Sequence, residues 1–325
     1  MLVLTEEQIR PLLCWDDLIP AMEAALAAFS EGRVIQPVRN MITIEEGRRY
    51  LGVMPAVAEA AMGLKLVSFY PGNSGTDVPT HLATIILFRP DTGQPLAVLD
   101  GRLITEMRTA AVSAAVTKHL SAPESRVLAL LGSGVQAQAH LEALSRVRQF
   151  EEVRVWSRTP DHARKFAERH KARALDAETA VRGADVVVTA TNALQPILKG
   201  GWLKPGAHVN SVGSPRPTWR ELDDEAMRCT LVVDSREAVL KESGDVILSN
   251  ADIYAEAGEI FSGAKRPSAT DTTVFKSVGI AAEDIAAAML VYGQAAVARL
   301  DDYRIRGSSE GLASTLLART NEVIE

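Results

Sequence analysis

The 325 residues, 47% hydrophobic and 23% charged, suffice for two domains with substantial cores in a soluble globular protein. A net charge of −6 and a pI near 5.6 argue against a nucleic-acid footprint, and Cys14 and Cys229 stand far apart and outside any metal-binding or disulfide pattern. MLVLTEEQIR lacks the basic region and apolar core of a signal peptide, and Glu283 and Asp284 interrupt the Ala-rich 280–298 stretch, so the expectation is a cytoplasmic protein with no membrane, nucleic-acid or metal partner.

Thr5-Glu6-Glu7-Gln8 reads as the capping box of a short first helix. A second helix over about 16–30 carries Leu18, Met22, Ala25, Leu26 and Phe29 at helical spacing and stops near Gly32. The pattern then changes to strands around 34–44, 49–54, 64–70 and 81–89, and the turn Arg89–Pro95 leads into Leu96–Asp100. This first part reads as an antiparallel α+β domain. A helix over about 104–120 carries the chain to a boundary at Ser121-Ala122-Pro123.

From 126 onward strands and helices alternate, with strand candidates at 127–131, 153–157, 173–175, 185–191, 208–212, 231–234 and 273–278. Such alternation implies an α/β fold with a doubly wound parallel sheet of Rossmann type. The last long helix, about 281–299, could return to the first domain. The expected division is therefore a substrate-binding and dimerisation domain over 1–121, completed by 281–325, and a nucleotide-binding domain over 122–280.

The most informative stretch is Arg126–Thr159. The apolar run Val127–Leu131 is followed by Gly132-Ser133-Gly134-Val135-Gln136-Ala137, a helix-compatible segment, and the strand-like Val153–Trp156. That is a βαβ unit whose turn fits the dinucleotide fingerprint G-x-G-x-x-G/A. Gly132 allows a sharp turn, Gly134 lets the backbone approach a pyrophosphate, and Ala137 permits close helix–strand packing. The free N–H groups and dipole at the helix start attract the anion. An NAD site wants a carboxylate at the end of the second strand, but the chain offers Ser157-Arg158-Thr159. A guanidinium flanked by hydroxyls suits a 2′-phosphate, so NADPH is the expected cofactor. Arg158 could also be an ordinary solvated arginine before a helix capped by Thr159 and begun by Pro160.

Other residues pose a similar choice. Lys65, flanked by apolar residues, either faces solvent on an edge strand or faces an interdomain cleft. Arg39 and Arg108 carry the same ambiguity, Arg108 because the helix turns after it are nearly all small or apolar. Three cations converging on a cleft would suit an anionic substrate, with arginines holding a carboxylate and the lysine polarising or protonating a C=N or C=O centre. Thr80-His81 precedes a strand, and Thr191-Asn192 ends one at the expected crevice edge. The loop Val212–Asp224, with Arg216, would sit beside the nicotinamide; Asp223 and Asp224 most simply cap the next helix. Glu256 and Lys276-Ser277 lie near later strand ends.

Several segments together carry a resemblance to a known family. They are Gln36–Arg39, Tyr50–Ala56, Lys65–Val67, Arg108–Ser113, Gly132–Ala137, Trp219–Asp224, Leu240–Asp245 and Thr272–Ser277. In this order they resemble the ornithine cyclodeaminase/mu-crystallin family along nearly the full length, especially its ketimine reductase branch. The resemblance implies a homodimer whose first domain supplies the dimer contact and substrate site. It implies a site lined by Arg39, Lys65 and Arg108, the last two catalytic, with Arg216 and Glu256 as further substrate contacts. It also implies cofactor contacts from Thr80, His81, Arg108, Gly132, Ser133, Gly134, Val135, Gln136, Ser157, Arg158, Thr159, Thr191, Asn192, Val212 and Ser277. The implied reaction is NADPH reduction of a cyclic imino acid such as Δ1-piperideine-2-carboxylate or Δ1-pyrroline-2-carboxylate. Mu-crystallins also bind thyroid hormone, whose carboxylate could use the same arginines. One departure matters: where cyclodeaminases carry a glutamate just before the Met-Pro pair, for the substrate's distal amine, this chain has Gly52. That favours a reductase over a cyclodeaminase or an NAD-linked amino acid dehydrogenase.

Overall fold

A computed structural model describes residues 1–73 and 75–306, with side chains as far as Ala298. The first hundred residues build β1 (Leu2–Leu4), α1 (Glu6–Ile9), α2 (Trp15–Ser30), β2 (Asn40–Glu45), β3 (Arg49–Ala58), β4 (Ala61–Phe69), β5 (His81–Phe88) and β6 (Pro95–Asp100). The strands form one sheet in the order β1-β6-β5-β4-β3-β2, antiparallel except for the parallel β1–β6 pair. Period-two patterning becomes alternating burial in β3, where Tyr50, Gly52, Met54 and Ala56 point inward. The capping box forms as expected, with Gln8 Oε1 accepting from the Thr5 N–H at 3.0 Å.

Next come α3 (Arg102–Leu120), β7 (Val127–Leu131), α4 (Val135–Leu144), β8 (Glu152–Trp156), α5 (Pro160–His170), β9 (Arg173–Ala174), α6 (Ala177–Val181), β10 (Val186–Thr189) and β11 (His208–Ser211). The chain continues through α7 (Asp224–Met227), β12 (Thr230–Val233), α8 (Arg236–Glu242), α9 (Gly244–Ser249), β13 (Ile253–Glu256), α10 (Ala257–Phe261), β14 (Thr273–Lys276) and α11 (Ala281–Arg306). These strands make an eight-stranded sheet, parallel at every pairing, in the order β13-β12-β14-β11-β10-β7-β8-β9. The chain moves outward from β7 through β8 and β9, then returns to β10 on the other side of β7. The switch point, where a doubly wound sheet opens its ligand crevice, therefore lies between the carboxyl ends of β7 and β10.

Helix α3 touches both sheets, packing on β5 and on β11 and β14. Its buried residues are mostly small: Ala110, Ala111, Ser113, Ala114, Ala115 and Thr117 are all inaccessible to solvent. That lets both sheets approach closely, and two polar contacts fix the register. Ser113 Oγ meets His140 Nε2 of α4 at 2.9 Å, and Asn210 Nδ2 of β11 donates to Thr117 Oγ1 at 2.9 Å.

Helix α11 leaves the eight-stranded sheet and packs against β3, β4 and β5 and against α2 and α3. The last helix thus lies on the first sheet; the end of the expected segment, 307–325, lies outside the described residues. Among the described residues no helix is long and apolar enough to cross a membrane.

Candidate functional site

Lys65 lies on β4, which is an interior strand between β3 and β5, so the edge-strand reading is wrong. Its side chain points to the face covered by α11 and is 2% exposed. There Nζ meets Asp284 Oδ2 at 2.5 Å. Arg108, in the second turn of α3, shares that partner: Nε donates to Asp284 Oδ1 at 2.9 Å, and Nη1 donates to Glu283 Oε2. Arg39, just before β2, forms a two-pronged pair with Glu242 at the end of α8 and donates to the Val278 carbonyl at 3.1 Å. The three cations do converge, but each is met by a carboxylate from a distant segment. Glu242, Glu283 and Asp284 were missed as site residues; the last two had registered only as interruptions of an apolar run.

Burial shifts these groups. It pulls Lys65 down to about 8, opposed by Asp284 and reinforced by Arg108 and Arg39. It pushes Glu283 up to about 7 against the pull of Arg108, helped by Asp234 and Asp284.

The turn from β14 into α11 ties the cluster to the parallel sheet. Asp234, at the end of β12, accepts on Oδ2 from Ser277 Oγ at 2.8 Å, Val278 N at 2.7 Å and Gly279 N at 2.6 Å. Gly279 has φ +78°, and a Cβ there would lie 2.6 Å from Arg108 Nη1. Gly279→Ala should therefore strain the turn and displace Arg108, raising KM for an anionic substrate with a smaller effect on cofactor affinity. Steady-state kinetics with either ligand varied checks this; an unchanged KM would show that Arg108 tolerates the shift.

Some of the residues expected at the cofactor lie just past the ends of adjacent parallel strands. Arg158 follows β8, Gly132 follows β7, Thr191 follows β10, Val212 follows β11 and Ser277 follows β14, in the spatial order β8-β7-β10-β11-β14. Gly132 has φ +129°, and a Cβ would stand 2.5 Å from the Ala190 carbonyl oxygen, so the turn demands glycine. Gly134 is the N-cap of α4, exposed, with open space before it and no side chain capping the helix. Ser133 and Val135 flank it, and Gln136 Oε1 is buried without a hydrogen-bond partner. These features fit an anion at the helix start. Arg158 is exposed and makes no ion pair with a described residue. Thr159 occupies the N-cap of α5, with Pro160 first in the helix, yet its hydroxyl makes no capping bond, contrary to the capping expectation. Ser157 is half-buried beside them. An unpaired guanidinium beside an uncommitted hydroxyl fits a phosphate. Asn192 is exposed next to Thr191.

Behind this edge lies a buried network unforeseen as a unit. Glu221 Oε1 accepts from Thr191 N and Thr191 Oγ1, both at 2.7 Å. Its Oε2 accepts from Thr189 Oγ1 at 2.7 Å, Gly213 N at 2.9 Å and Ser211 Oγ at 3.2 Å. Lys276 Nζ joins Asp245 at 2.9 Å and the Gly213 carbonyl at 2.7 Å, and Asp245 Oδ1 accepts from Glu221 N and Leu222 N. The network ties the ends of β10 and β11 to one carboxylate. Each Glu221 oxygen faces a backbone N–H, so Glu221→Gln must set its NH2 against one of them in either orientation. A loss of about 1–3 kcal/mol in a urea melt is expected, with weaker cofactor binding; unaltered stability would mean that the network relaxes freely. As expected, Asp223 caps α7, accepting from Ala226 N at 2.9 Å.

Arg216 reaches across from the loop after β11 and lies 3.9 Å over the Tyr50 ring and 5.2 Å from that of Phe69. His81 stacks on Phe69 at 4.3 Å, and its Nδ1 lies 3.2 Å from Thr80 Oγ1. Although the residue reaches solvent, withdrawal of the ring from water, with Arg216 and Lys65 nearby, lowers its pKa to about 4. Glu256 departs from the expected set. It is the N-cap of α10, and its oxygens accept from Ser30 Oγ of α2 and the Arg236 N–H, both at 2.9 Å. It contacts none of Arg39, Lys65 and Arg108 and serves instead to join α2 to the parallel sheet.

The sequence matches the ornithine cyclodeaminase/mu-crystallin family model over residues 1–298. The chain belongs to this family. A relative within it, ketimine reductase mu-crystallin of Mus musculus, is 55% identical over 284 residues, covering 85% of this chain and 91% of the mouse protein. Thermococcus litoralis Δ1-pyrroline-2-carboxylate reductase, solved in complex with NADH and L-proline, is 37% identical with a TM-score of 0.87, over 92% of this chain and 98% of that one. An archaeal alanine dehydrogenase dimer with bound NAD is 33% identical with a TM-score of 0.87, over 92% of this chain and 97% of that one. This family membership and the buried cation cluster between β4, α3 and α11 thus occur together in one chain.

Proposed function

We propose that the chain is an NADPH-dependent reductase of cyclic ketimine carboxylates, of the Δ1-piperideine-2-carboxylate and Δ1-pyrroline-2-carboxylate type, forming cyclic L-amino acids. The observation that carries this reading is the buried Lys65–Asp284–Arg108 cluster, whose Asp284 follows β14 of the sheet that also carries the glycine turn. Bound NADPH would supply the hydride for the imine carbon. Arg108 and Arg39 hold the substrate carboxylate, and Lys65 places a proton on the imine nitrogen. Burial under α11 keeps water from these groups and strengthens their electrostatics. Gly132, Ser133, Gly134, Val135 and Gln136 would cradle the pyrophosphate, with Ser157, Arg158 and Thr159 on the 2′-phosphate and Thr191, Asn192, Val212 and Ser277 toward the nicotinamide. Thr80, His81 and Arg216 would close over them.

The reading treats 122–280 as the cofactor domain and 1–121 with α11 as the substrate and dimer domain. Exposed Ile42 and Ile44 on the edge strand β2 support a homodimer, as does the dimeric alanine dehydrogenase neighbour. Unpaired Cys14 and Cys229 suit a reducing, cytoplasmic compartment. At Gly52 a Cβ would lie 2.8 Å from Met41 Sδ and 2.9 Å from Val67 Cγ1, which disfavours the glutamate a diamino acid would need.

NADPH consumption with piperideine and pyrroline carboxylates tests the proposal. Turnover of either to the cyclic amino acid supports it. Turnover of neither, with ammonia release from ornithine or alanine formation from pyruvate and ammonia, would replace it with a sibling activity. Tight iodothyronine binding without turnover would point to a thyroid-hormone-carrying role.

A further inference from the structure

The charges of the cluster do not suit an incoming anion as they stand. Arg39, Lys65, Arg108 and, within reach of Arg39 and Glu242, Arg216 stand against Asp234, Glu242, Glu283 and Asp284, four positive charges against four negative. A substrate carboxylate would add a further negative charge in a region of low dielectric, where like charges repel strongly. A proton taken up by one of these carboxylates would offset that added charge.

The hydrogen bonds single out which. Asp234 has four donors: Ser235 N on Oδ1, and Ser277 Oγ, Val278 N and Gly279 N on Oδ2. Glu242 receives both prongs of Arg39. Asp284 takes the Arg108 Nε hydrogen bond on Oδ1, and its Oδ2, which has no hydrogen bond, lies in an ion pair with Lys65, so each of its oxygens faces a cation. Glu283 has only Arg108 Nη1 on Oε2, while its Oε1 is buried with no partner and the residue is fully enclosed. The charged groups facing it are Arg108 from α3, Asp234 from the end of β12 and Asp284 from its own helix, with Lys65 of β4 reached through Asp284. From α2, β3 and β5, which also pack on α11, no described charged side chain contacts it.

We infer that Glu283 takes up a proton as an anionic ligand enters, releasing Arg108 Nη1 to the ligand's carboxylate. Glu283 is thus a positioning residue acting through Arg108, and its carboxylate holds on Arg108 the place that a substrate carboxylate takes. The proton comes from solvent and lands on Glu283; no bond to the ligand is made or broken. This rests on the reading of the cluster as a carboxylate site. The balance between the two occupants of Arg108 lies near neutrality, consistent with the upward displacement of Glu283 to about 7.

The test is isothermal titration of the NADP⁺-loaded protein with pyrrole-2-carboxylate, a planar anion that cannot be reduced in the same way, about one pH unit above neutral in buffers of different ionisation enthalpy. Wild type is expected to take up close to one proton per anion bound, and its KM for ketimine carboxylate should rise by up to about tenfold per pH unit above about 7, with a smaller change in kcat. Glu283→Gln should bind the anion with little proton uptake and with a KM that stays flat over that range. Anion binding to wild type without uptake overturns the inference, as does a failure of the anion to bind. Uptake that survives Glu283→Gln assigns the proton to another group, Lys65 foremost, and also overturns it. The wild-type measurement stands alone should the variant fold poorly. Loss of ketimine turnover in wild type with proton-linked anion binding intact would overturn the reductase reading and leave this inference standing.

Discussion

Lys65→Met is expected to reduce kcat for imine reduction by about 10²- to 10⁴-fold, the usual contribution of a positioned acid, while leaving NADPH affinity unchanged. The lysine belongs to the first sheet and the glycine turn to the second, so cofactor binding is a fair internal control. Methionine retains the length and apolar stem of lysine, and Arg108 Nε still meets Asp284. The pH profile carries a second signature. With Lys65 pulled down to about 8 by burial, wild-type activity should fall as pH rises through that value, and this limb should vanish in the variant. Stability runs the other way. Because the folded-state value lies below the ordinary 10.5, the unfolded chain binds the proton more tightly between the two. The lysine's burden on stability is therefore full below about 8 and fades as pH climbs toward 10.5. Near-normal turnover in a well-folded variant would remove Lys65 from the chemistry.

Arg158→Gln should weaken NADPH binding by roughly 10- to 100-fold, the worth of one charge-assisted bond of about 1.5–3 kcal/mol, and leave NADH binding nearly unchanged. Arg158 is exposed, so the wild-type preference for NADPH should also shrink as ionic strength rises. Both solved neighbours hold the cofactor without the extra phosphate, one with NADH and one with NAD. A fluorescence titration of wild type with both reduced cofactors is therefore decisive. Equal affinity would reduce Arg158 to a solvated side chain before α5.

Much of this molecule was legible in the sequence because its signals are local. The glycine turn, the apolar strand before it and the strand after it sit within about thirty residues, and the fold builds them as read. Strand β13, Ile253-Tyr254-Ala255-Glu256, lacks the run of valines that marks β10, and β1 offers only three residues before the capping box of α1. Lys65 was ambiguous because alternation says which residues share a face, not whether that face is covered; α11, more than two hundred residues later, covers it. The carboxylates were the hardest part. Glu283 and Asp284 lie 175 and 176 positions from Arg108, and Glu242 lies 203 from Arg39. A signal did exist: two acids at the head of an alanine-rich helix suit the macrodipole, yet acids amid so much apolar surface need buried cations. Glu256 was misassigned for a related reason, since a carboxylate at a strand end looks the same whether it faces a crevice or caps the next helix.

The late position of α11 has a consequence for how the protein comes into being. The face of the first sheet that carries Lys65 has its natural cover only once residue 281 has been synthesised, roughly 180 residues after β6 ends. At ribosomal rates of about 5–20 residues per second, that face waits for roughly 10–40 s with a lysine amid apolar side chains and no counter-ion. Nascent chains paused in this interval would be natural clients for chaperones.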